Sequence, residues 1–289
     1  MYSYTNNQVT GITINGTALL SGVSYEPFGP ARGWTWGNTS TEVRLYNTDG
    51  NPTMISGIES VSLGYDNAFW ITSASNSSNS ALSWSYGYDL LDRLTSASEI
   101  GTSLGWTYDT NGNRTQQTGA TASNVLSNVA SYTYNGRGRM ASATVGSTTS
   151  SYIYNALGQR ISKTRSTTVL FMYDEVGHLI GEYDGSGNLL EETIWLGDLP
   201  VATIQPNGSG ISIYYVHANQ LGAPIMITRP ADNVIMWRWD ADPLGTVTPN
   251  QNPSGLGTFS YNLRFPGQYY RSADVSPAYN GYEWAGVSE

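Results

Sequence analysis

The amino-acid sequence predicts an all-β fold of successive antiparallel hairpins, and three observations predict it. A tyrosine followed by Asp or Asn and then by turn residues recurs along the chain; the side chains between recurrences alternate with period two; and the composition suits strands and turns. Gly (32), Tyr (21) and Trp (9) are abundant, Ser, Thr and Asn run throughout, and only 12% of residues are charged. Strands favour aromatic and β-branched residues, and turns favour Gly, Asn, Asp and Ser.

The recurrences are Tyr46-Asn47 with Gly50, Tyr65-Asp66, Tyr88-Asp89 with Arg93-Leu94, Tyr108-Asp109 with Gly112 and Arg114, and Tyr134-Asn135 with Gly138 and Met140. Tyr154-Asn155 with Gly158 and Arg160, Tyr173-Asp174 with Gly177 and Leu179, and Tyr183-Asp184 with Gly187 and Leu189 follow. Successive tyrosines are 19, 23, 20, 26, 20, 19 and 10 residues apart, close to two strands of about six residues plus their turns. A helical repeat usually needs about 33 or more.

Within a unit, Leu82, Trp84, Tyr86 and Tyr88 fall on one face of an extended segment, as do Leu104, Trp106 and Tyr108. Asp109-Thr110-Asn111-Gly112-Asn113 then supplies the reversal: the Asp and Asn side chains bond nearby backbone, and Gly takes positive φ without steric cost. A carboxylate or carboxamide needed in every repeat is a device of the fold, with Tyr covering the sheet and Asp capping the turn. Hydrophobic content of 39%, with aromatics at 12%, means that Tyr and Trp provide much of the packing.

The bulk numbers exclude several function classes. With 13 basic and 22 acidic residues the formal charge is -9, which repels phosphate backbones, so nucleic acid is not an expected partner. The absence of Cys removes disulfides, thiolate nucleophiles and Cys-ligated zinc together. No stretch approaches the roughly 20 apolar residues of a membrane span. Met1-Tyr2-Ser3-Tyr4-Thr5-Asn6-Asn7 has neither the basic nor the apolar region of a signal peptide.

Tyr108-Asp109-Thr110-Asn111-Gly112-Asn113-Arg114 and its neighbours resemble the YD repeats of Rhs-type proteins, a family that includes bacterial toxin-complex shells and the teneurins. Tyr214-Tyr215-Val216-His217-Ala218-Asn219-Gln220-Leu221-Gly222-Ala223-Pro224, then Trp237-Arg238-Trp239-Asp240-Ala241-Asp242-Pro243-Leu244-Gly245, resemble the start of the Rhs-associated core. Leu263-Arg264-Phe265-Pro266-Gly267-Gln268-Tyr269-Tyr270 continues it, so the resemblance runs from about Tyr25-Glu26-Pro27-Phe28-Gly29 onward. It implies a curved, spiralling β-strip, an incomplete shell or barrel, of the kind that in larger relatives encloses a toxic C-terminal polypeptide. On this reading 1–289 is a single strip: YD hairpins over 1–205, a core-like segment over 206–270 and a divergent tail over 271–289.

After Tyr270 the family pattern gives way to Arg271-Ser272-Ala273-Asp274-Val275-Ser276-Pro277. Relatives use an aspartate pair and an arginine in that stretch to cut off their own cargo, so autoproteolysis does not carry over. The two ends suggest a truncated, shifted or orphan C-terminal portion of a longer gene product. The resemblance implies a secreted or cell-surface setting. The expected partners are other shell segments, or a second copy paired through the open sheet edges.

Gly101-Thr102-Ser103-Leu104-Gly105 fits the G-x-S-x-G pattern of serine hydrolases, but that pattern needs a helix after the serine, and here an alternating strand follows. His178 sits at a variable turn position and is expected to be solvated; His217, on a Tyr-rich strand, is expected to be packed and hydrogen-bonded. Two lone histidines make no metal cluster. Asp240 and Asp242 flank Ala241 and could bind Ca²⁺ or act as acid and base, although Pro243 and Gly245 favour a turn. No Walker loop or dinucleotide fingerprint is present. No residue is therefore assigned a catalytic, cofactor or metal role, and the expected function is a non-catalytic shell segment. The alternatives are a glycan- or protein-binding module using exposed Trp and Tyr, and a hydrolase in the groove of the strip using Ser103 or Asp240 and Asp242.

Overall fold

The computed structural model describes residues 1–119, 130–245, 247–266, 268–270 and 282–284. Most of the divergent tail, 271–281 and 285–289, lies outside the described residues. The chain separates into two compact units, Met1–Ser123 and Asn124–Glu289.

In the first unit a 12-stranded antiparallel sheet runs in sequence order from Tyr2–Thr5 to Arg114–Thr118, every strand pairing with its chain neighbours. An 11-stranded antiparallel sheet in the second unit runs likewise from Ala130–Tyr134 to Ile235–Arg238, and Gln268–Tyr270 pairs with Tyr282–Trp284. The expected all-β hairpin succession is thus the observed fold, and neither sheet closes into a barrel. Among the described residues, helix is confined to the single 3₁₀ turn Ser80–Leu82.

Each reversal follows from the turn chemistry. At Asp109 the backbone N–H donates to the Asn113 carbonyl (2.9 Å), and Gly112 N–H donates back to the Asp109 carbonyl (3.1 Å). The Asp109 Oδ1 accepts the N–H groups of Asn111 (2.9 Å) and Asn113 (2.8 Å), so one side chain satisfies two backbone donors that point into the loop. The same backbone pair closes turns at Asn47, Asp66, Asp89, Asn135, Asn155, Asp174, Asp184 and Asn219. Asp and Asn alternate freely because only the Oδ1 acceptor is required.

The fourth residue of each turn is left-handed, and the register shifts by one residue beside the tyrosine, as between Thr107 and Tyr108 or Met172 and Tyr173. This is a type I turn followed by a left-handed residue that makes a bulge. Gly fills that position in most turns, but Phe69 (φ 66°) and Asp92 (φ 61°) fill it in two, which is why Tyr65-Asp66 has no glycine in its turn. A bulky side chain there costs roughly 1–2 kcal/mol.

The tyrosines do more than cover the sheet. The hydroxyls of Tyr46, Tyr65, Tyr88, Tyr108 and Tyr173 donate to the carbonyls of Ala31 (3.0 Å), Pro52 (2.6 Å), Ile71 (2.9 Å), Leu94 (2.7 Å) and Arg160 (3.0 Å). Each acceptor is the first residue after an earlier turn, so every rung ties one hairpin to the root of its predecessor. Burial raises the Tyr46, Tyr65 and Tyr88 hydroxyls above their ordinary pKa, keeping these donors protonated. A second link runs from the last turn residue to the next aromatic: Trp70 packs on Tyr88 (5.5 Å), Arg93 lies over Tyr108 (4.7 Å), and His178 stacks on Trp195 (4.3 Å).

The core of the first unit gathers Ile12, Leu20, Trp34, Trp36, Leu104 and Trp106, all at most 5% exposed. A buried indole removes about 200 Å² from water, on the order of 5 kcal/mol. Trp34 and Trp36 meet edge to face at 5.6 Å, and Gly33 just before them lets the next strand close in, since a Cβ there would sit 2.6 Å from the Glu42 carbonyl oxygen. The Glu42–Arg44 pair (3.0 Å) is buried beside them.

Two substitutions separate these terms in urea unfolding. Tyr108→Phe removes one rung without a cavity and should cost about 1 kcal/mol. Phe69→Gly should stabilise by about 1 kcal/mol, since the lost side chain is exposed and the φ strain is relieved. The caps also predict the acid limb. The Asn113 side chain and backbone hold the Asp109 carboxyl below its ordinary pKa, and Asn188 does the same for Asp184. The stability they add is complete above the ordinary Asp value of about 3.9 and is lost as pH falls through their lowered values. Asp109→Asn with Asp184→Asn keeps both Oδ1 acceptors and should flatten the fall in urea midpoint below about pH 4.

Candidate functional site

The core-like segment builds the second unit's interior. Beyond Ile235–Arg238 the sheet edge is met by Asn250, which exchanges backbone hydrogen bonds with Arg238 (3.0 and 2.8 Å). The chain then returns over the sheet. Phe259, Tyr261, Leu263 and Tyr269 bury themselves among Phe171, Val216, Ile227, Trp237 and Trp239. Trp237 meets Tyr261 edge to face at 5.7 Å, and Arg264, 1% exposed, lies over the rings of Trp237, Trp239 and Tyr270 at 4.7–5.2 Å.

Beneath this return lies a concentration of buried ionisable groups. Glu182, on Leu179–Asp184, and Glu191, on Leu189–Leu196, are directly opposed cross-strand partners, and both point inward at 7% and 9% exposure. Directly opposed residues in an antiparallel pair have Cα atoms roughly 4.5–5.5 Å apart, and like charges in that relation repel. The Tyr269 hydroxyl donates to Glu182 Oε2 (2.8 Å). Gln205 Nε2 donates both to Glu191 Oε2 (3.1 Å) and to the Ser260 carbonyl (3.0 Å). Arg160, 4% exposed, stands over the rings of Phe171 (4.6 Å) and Tyr269 (4.8 Å).

Burial raises the Glu182 carboxyl, against the Tyr269 bond and the charges of Arg160 and Lys163. Glu191 is held well above the ordinary carboxylate range, first by burial and then by the Glu182 charge, with Gln205 and Arg264 opposing. Two facing carboxyls that are both raised by burial are the raw material of acid–base chemistry. Here the returning segment covers them.

The residues singled out by sequence fall in different places. Ser103 is exposed within the strand Thr102–Tyr108, opposite Ser98, with no helix behind it, so the G-x-S-x-G segment is not a nucleophile elbow. Asp240 is ion-paired with Arg238 (2.7 Å), whereas Asp242 is buried and accepts the Leu244 N–H (3.1 Å) as a turn cap. His217 is buried, with Nε2 3.0 Å from Thr228 Oγ1. His178 is not solvated as its turn position suggested: Nδ1 lies 2.9 Å from Asp174 Oδ2, Nε2 lies 3.1 Å from Asp198 Oδ1, and one face stacks on Trp195. It is held because the turn's last residue reaches the neighbouring hairpin. Among the described residues no group of three His, Cys, Asp or Glu side chains could hold a metal ion. No described helix is long and apolar enough to cross a membrane.

Of the described tryptophans, Trp34, Trp36, Trp106, Trp237 and Trp239 are buried, Trp84 and Trp195 are half-buried, and Trp70 is exposed. The Glu182–Glu191 pair was missed in sequence. The signal existed: the Asp184 turn with its bulge sets residue 182 opposite 191.

Residues 51–191 match the Teneurin YD-shell family. No curated protein matches the chain. Among solved structures, the chain resembles a Photorhabdus luminescens Tc holotoxin pore carrying a TccC3 mutation, with a TM-score of 0.73 and 16% identity over 100% of this chain and 19% of that one. It also resembles TcdB2-TccC3 without its hypervariable C-terminal region (TM-score 0.68, 15% identity, 96% of this chain and 18% of that one). A further match is TcdB2-TccC3 itself (TM-score 0.66, 14% identity, 96% and 19%). At such identities the likeness is one of fold, and the chain spans about a fifth of the length of these structures. The Teneurin YD-shell match over 51–191, together with the shared fold, makes the hairpin sheets similar to those of YD/Rhs-type shells.

Proposed function

We propose that this chain is a non-catalytic structural segment of an Rhs-type shell, a strip over the whole of 1–289 whose work is to hold a wall and not to turn over a substrate. The observation that carries this reading is the repeated rung: Tyr46, Tyr65, Tyr88, Tyr108 and Tyr173 each spend their hydroxyl on the root of an earlier hairpin. In such an array the residues that recur are consumed by the architecture. The similar solved structures are toxin complexes much longer than this chain, which agrees with a wall made of several such lengths. We assign no catalytic, cofactor or metal residue.

The partners on this reading are other strip segments or a second copy, joined edge to edge. The strand Tyr2–Thr5 is exposed along its length and pairs with one described neighbour, Gln8–Ile14, which leaves backbone donors and acceptors for another strand. Light scattering on the purified chain over a wide concentration range tests the proposal. The mass should rise with concentration, and Tyr4→Lys, which places a charge on that edge, should shift the rise to higher concentration. A monomer mass at every concentration sinks the edge-pairing part. Turnover of activated esters or glycosides abolished by Ser103→Ala or Asp242→Asn sinks the non-catalytic part.

A further inference from the structure

Two of the hydrogen bonds that fasten the segment 259–270 to the second unit's sheet lead to the same cross-strand pair. Tyr269 ends on Glu182, while the Ser260 carbonyl is held by Gln205, which also holds Glu191. We propose that Glu182 and Glu191 form a proton-operated clasp, closed on the 259–270 strap while the pair carries a proton and loosened as pH rises.

The groups that face the pair come from every element packed around it. Leu179–Asp184 and Leu189–Leu196 contribute Glu182, Glu191 and Thr193; Arg160–Thr164 contributes Arg160 and Lys163; Leu199–Asn207 contributes Thr203 and Gln205; and the strap contributes Tyr261, Arg264 and Tyr269. Arg160 and Arg264 lie over aromatic rings, so their charges temper the repulsion without removing it. Glu182 has the closer support, a hydroxyl donor at 2.8 Å and the charges of Arg160 and Lys163. Glu191 has a neutral amide and, facing it, the Glu182 carboxyl. A single proton on the pair leaves one charge in the buried site; losing it leaves two opposed charges with little water.

Lifting the strap hydrates both carboxyls, which then titrate near the ordinary Glu value of about 4.3. The closed form therefore binds a proton that the open form has given up. Between the open-state and closed-state values each pH unit multiplies the open population by up to about tenfold, and above the closed-state value the population levels off. The sign is that of a carboxyl raised on folding: full stabilisation at low pH, lost as pH rises.

Native-state amide exchange on the full chain reads this directly. The Phe259 amide, bonded to the Gln251 carbonyl outside the strap, reports opening, and the Thr203 amide in the sheet serves as reference. After correction for intrinsic rates, strap exchange relative to the reference should rise with pH above the ordinary Glu value of about 4.3, by up to about tenfold per unit, and then level off. In Glu191→Gln the rise should be shallower and end at a lower pH than in the wild type, since Glu182 alone remains to titrate. A flat ratio in the wild type, or a Glu191→Gln profile that parallels the wild type, overturns the clasp. Should that variant fail to fold, infrared difference spectra of the wild type decide: a protonated carboxyl band must persist above the ordinary Glu value of about 4.3 and fade as strap exchange rises, and a band already lost at that ordinary value overturns the proposal.

Discussion

The structure depends on one arrangement more than any other: a short turn in which a side-chain oxygen satisfies two backbone N–H groups while a tyrosine beside it reaches back to the previous hairpin. The first half makes each hairpin locally self-sufficient, since the Asp109 or Asn135 oxygen does for the loop what the ladder does for the strands. The second half makes hairpins cumulative. A lone two-stranded hairpin is marginal in water, and rungs such as Tyr108 to Leu94 and Tyr88 to Ile71 add a polar tie between hairpins beyond the strand ladder.

That arrangement explains the composition. The tyrosine hydroxyl needs a carbonyl at a fixed distance along the sheet, so aromatic side chains are preferred at positions where Leu would pack but not bond. The cap needs only an acceptor, so Asp and Asn interchange, and the chain carries few basic residues to answer the resulting acidity. Several of those it has lie beside aromatics: Arg93 over Tyr108, Arg139 over Tyr154, Arg160 over Phe171. A sheet with little depth gains from cations that cover rings while keeping part of their hydration.

Much of this was legible because turn chemistry and period-two alternation are local. Asn111-Gly112 and the alternation of Leu104, Trp106 and Tyr108 announce a strand and a reversal without reference to the rest of the chain. The left-handed Phe69 and Asp92 were not legible, since nothing local favours them; the flanking strands impose the conformation. The tyrosine rungs were legible as packing but not as hydrogen bonds, because the acceptor lies 13–17 residues away on another hairpin. His178 was misjudged for the same reason: a turn position suggests solvent until the neighbouring hairpin's Trp195 and Asp198 are in place. Glu182 and Glu191 were not singled out in the sequence, because only the bulged register and the returning segment bring them together and bury them.

The two kinds of carboxylate oppose one another. Turn aspartates are solvent-facing and stabilised as anions, so acid weakens them; the strand glutamates are buried and stabilised as acids, so base weakens them. Turn aspartates are distributed over both units and act through local backbone, so losing one cap leaves its neighbours intact. Glu182 and Glu191 act at one place, under a single returning segment, so their protonation is felt there and not along the array. A repeat array tolerates substitution because its contacts are redundant. Where the chain stops repeating, over 250–270, redundancy ends and single side chains such as Arg264 and Tyr269 hold several partners at once. A condition-dependent response of one segment therefore arises where the non-repeating return lies over the last YD hairpins, because there a pair on the repeat meets single contacts from the return.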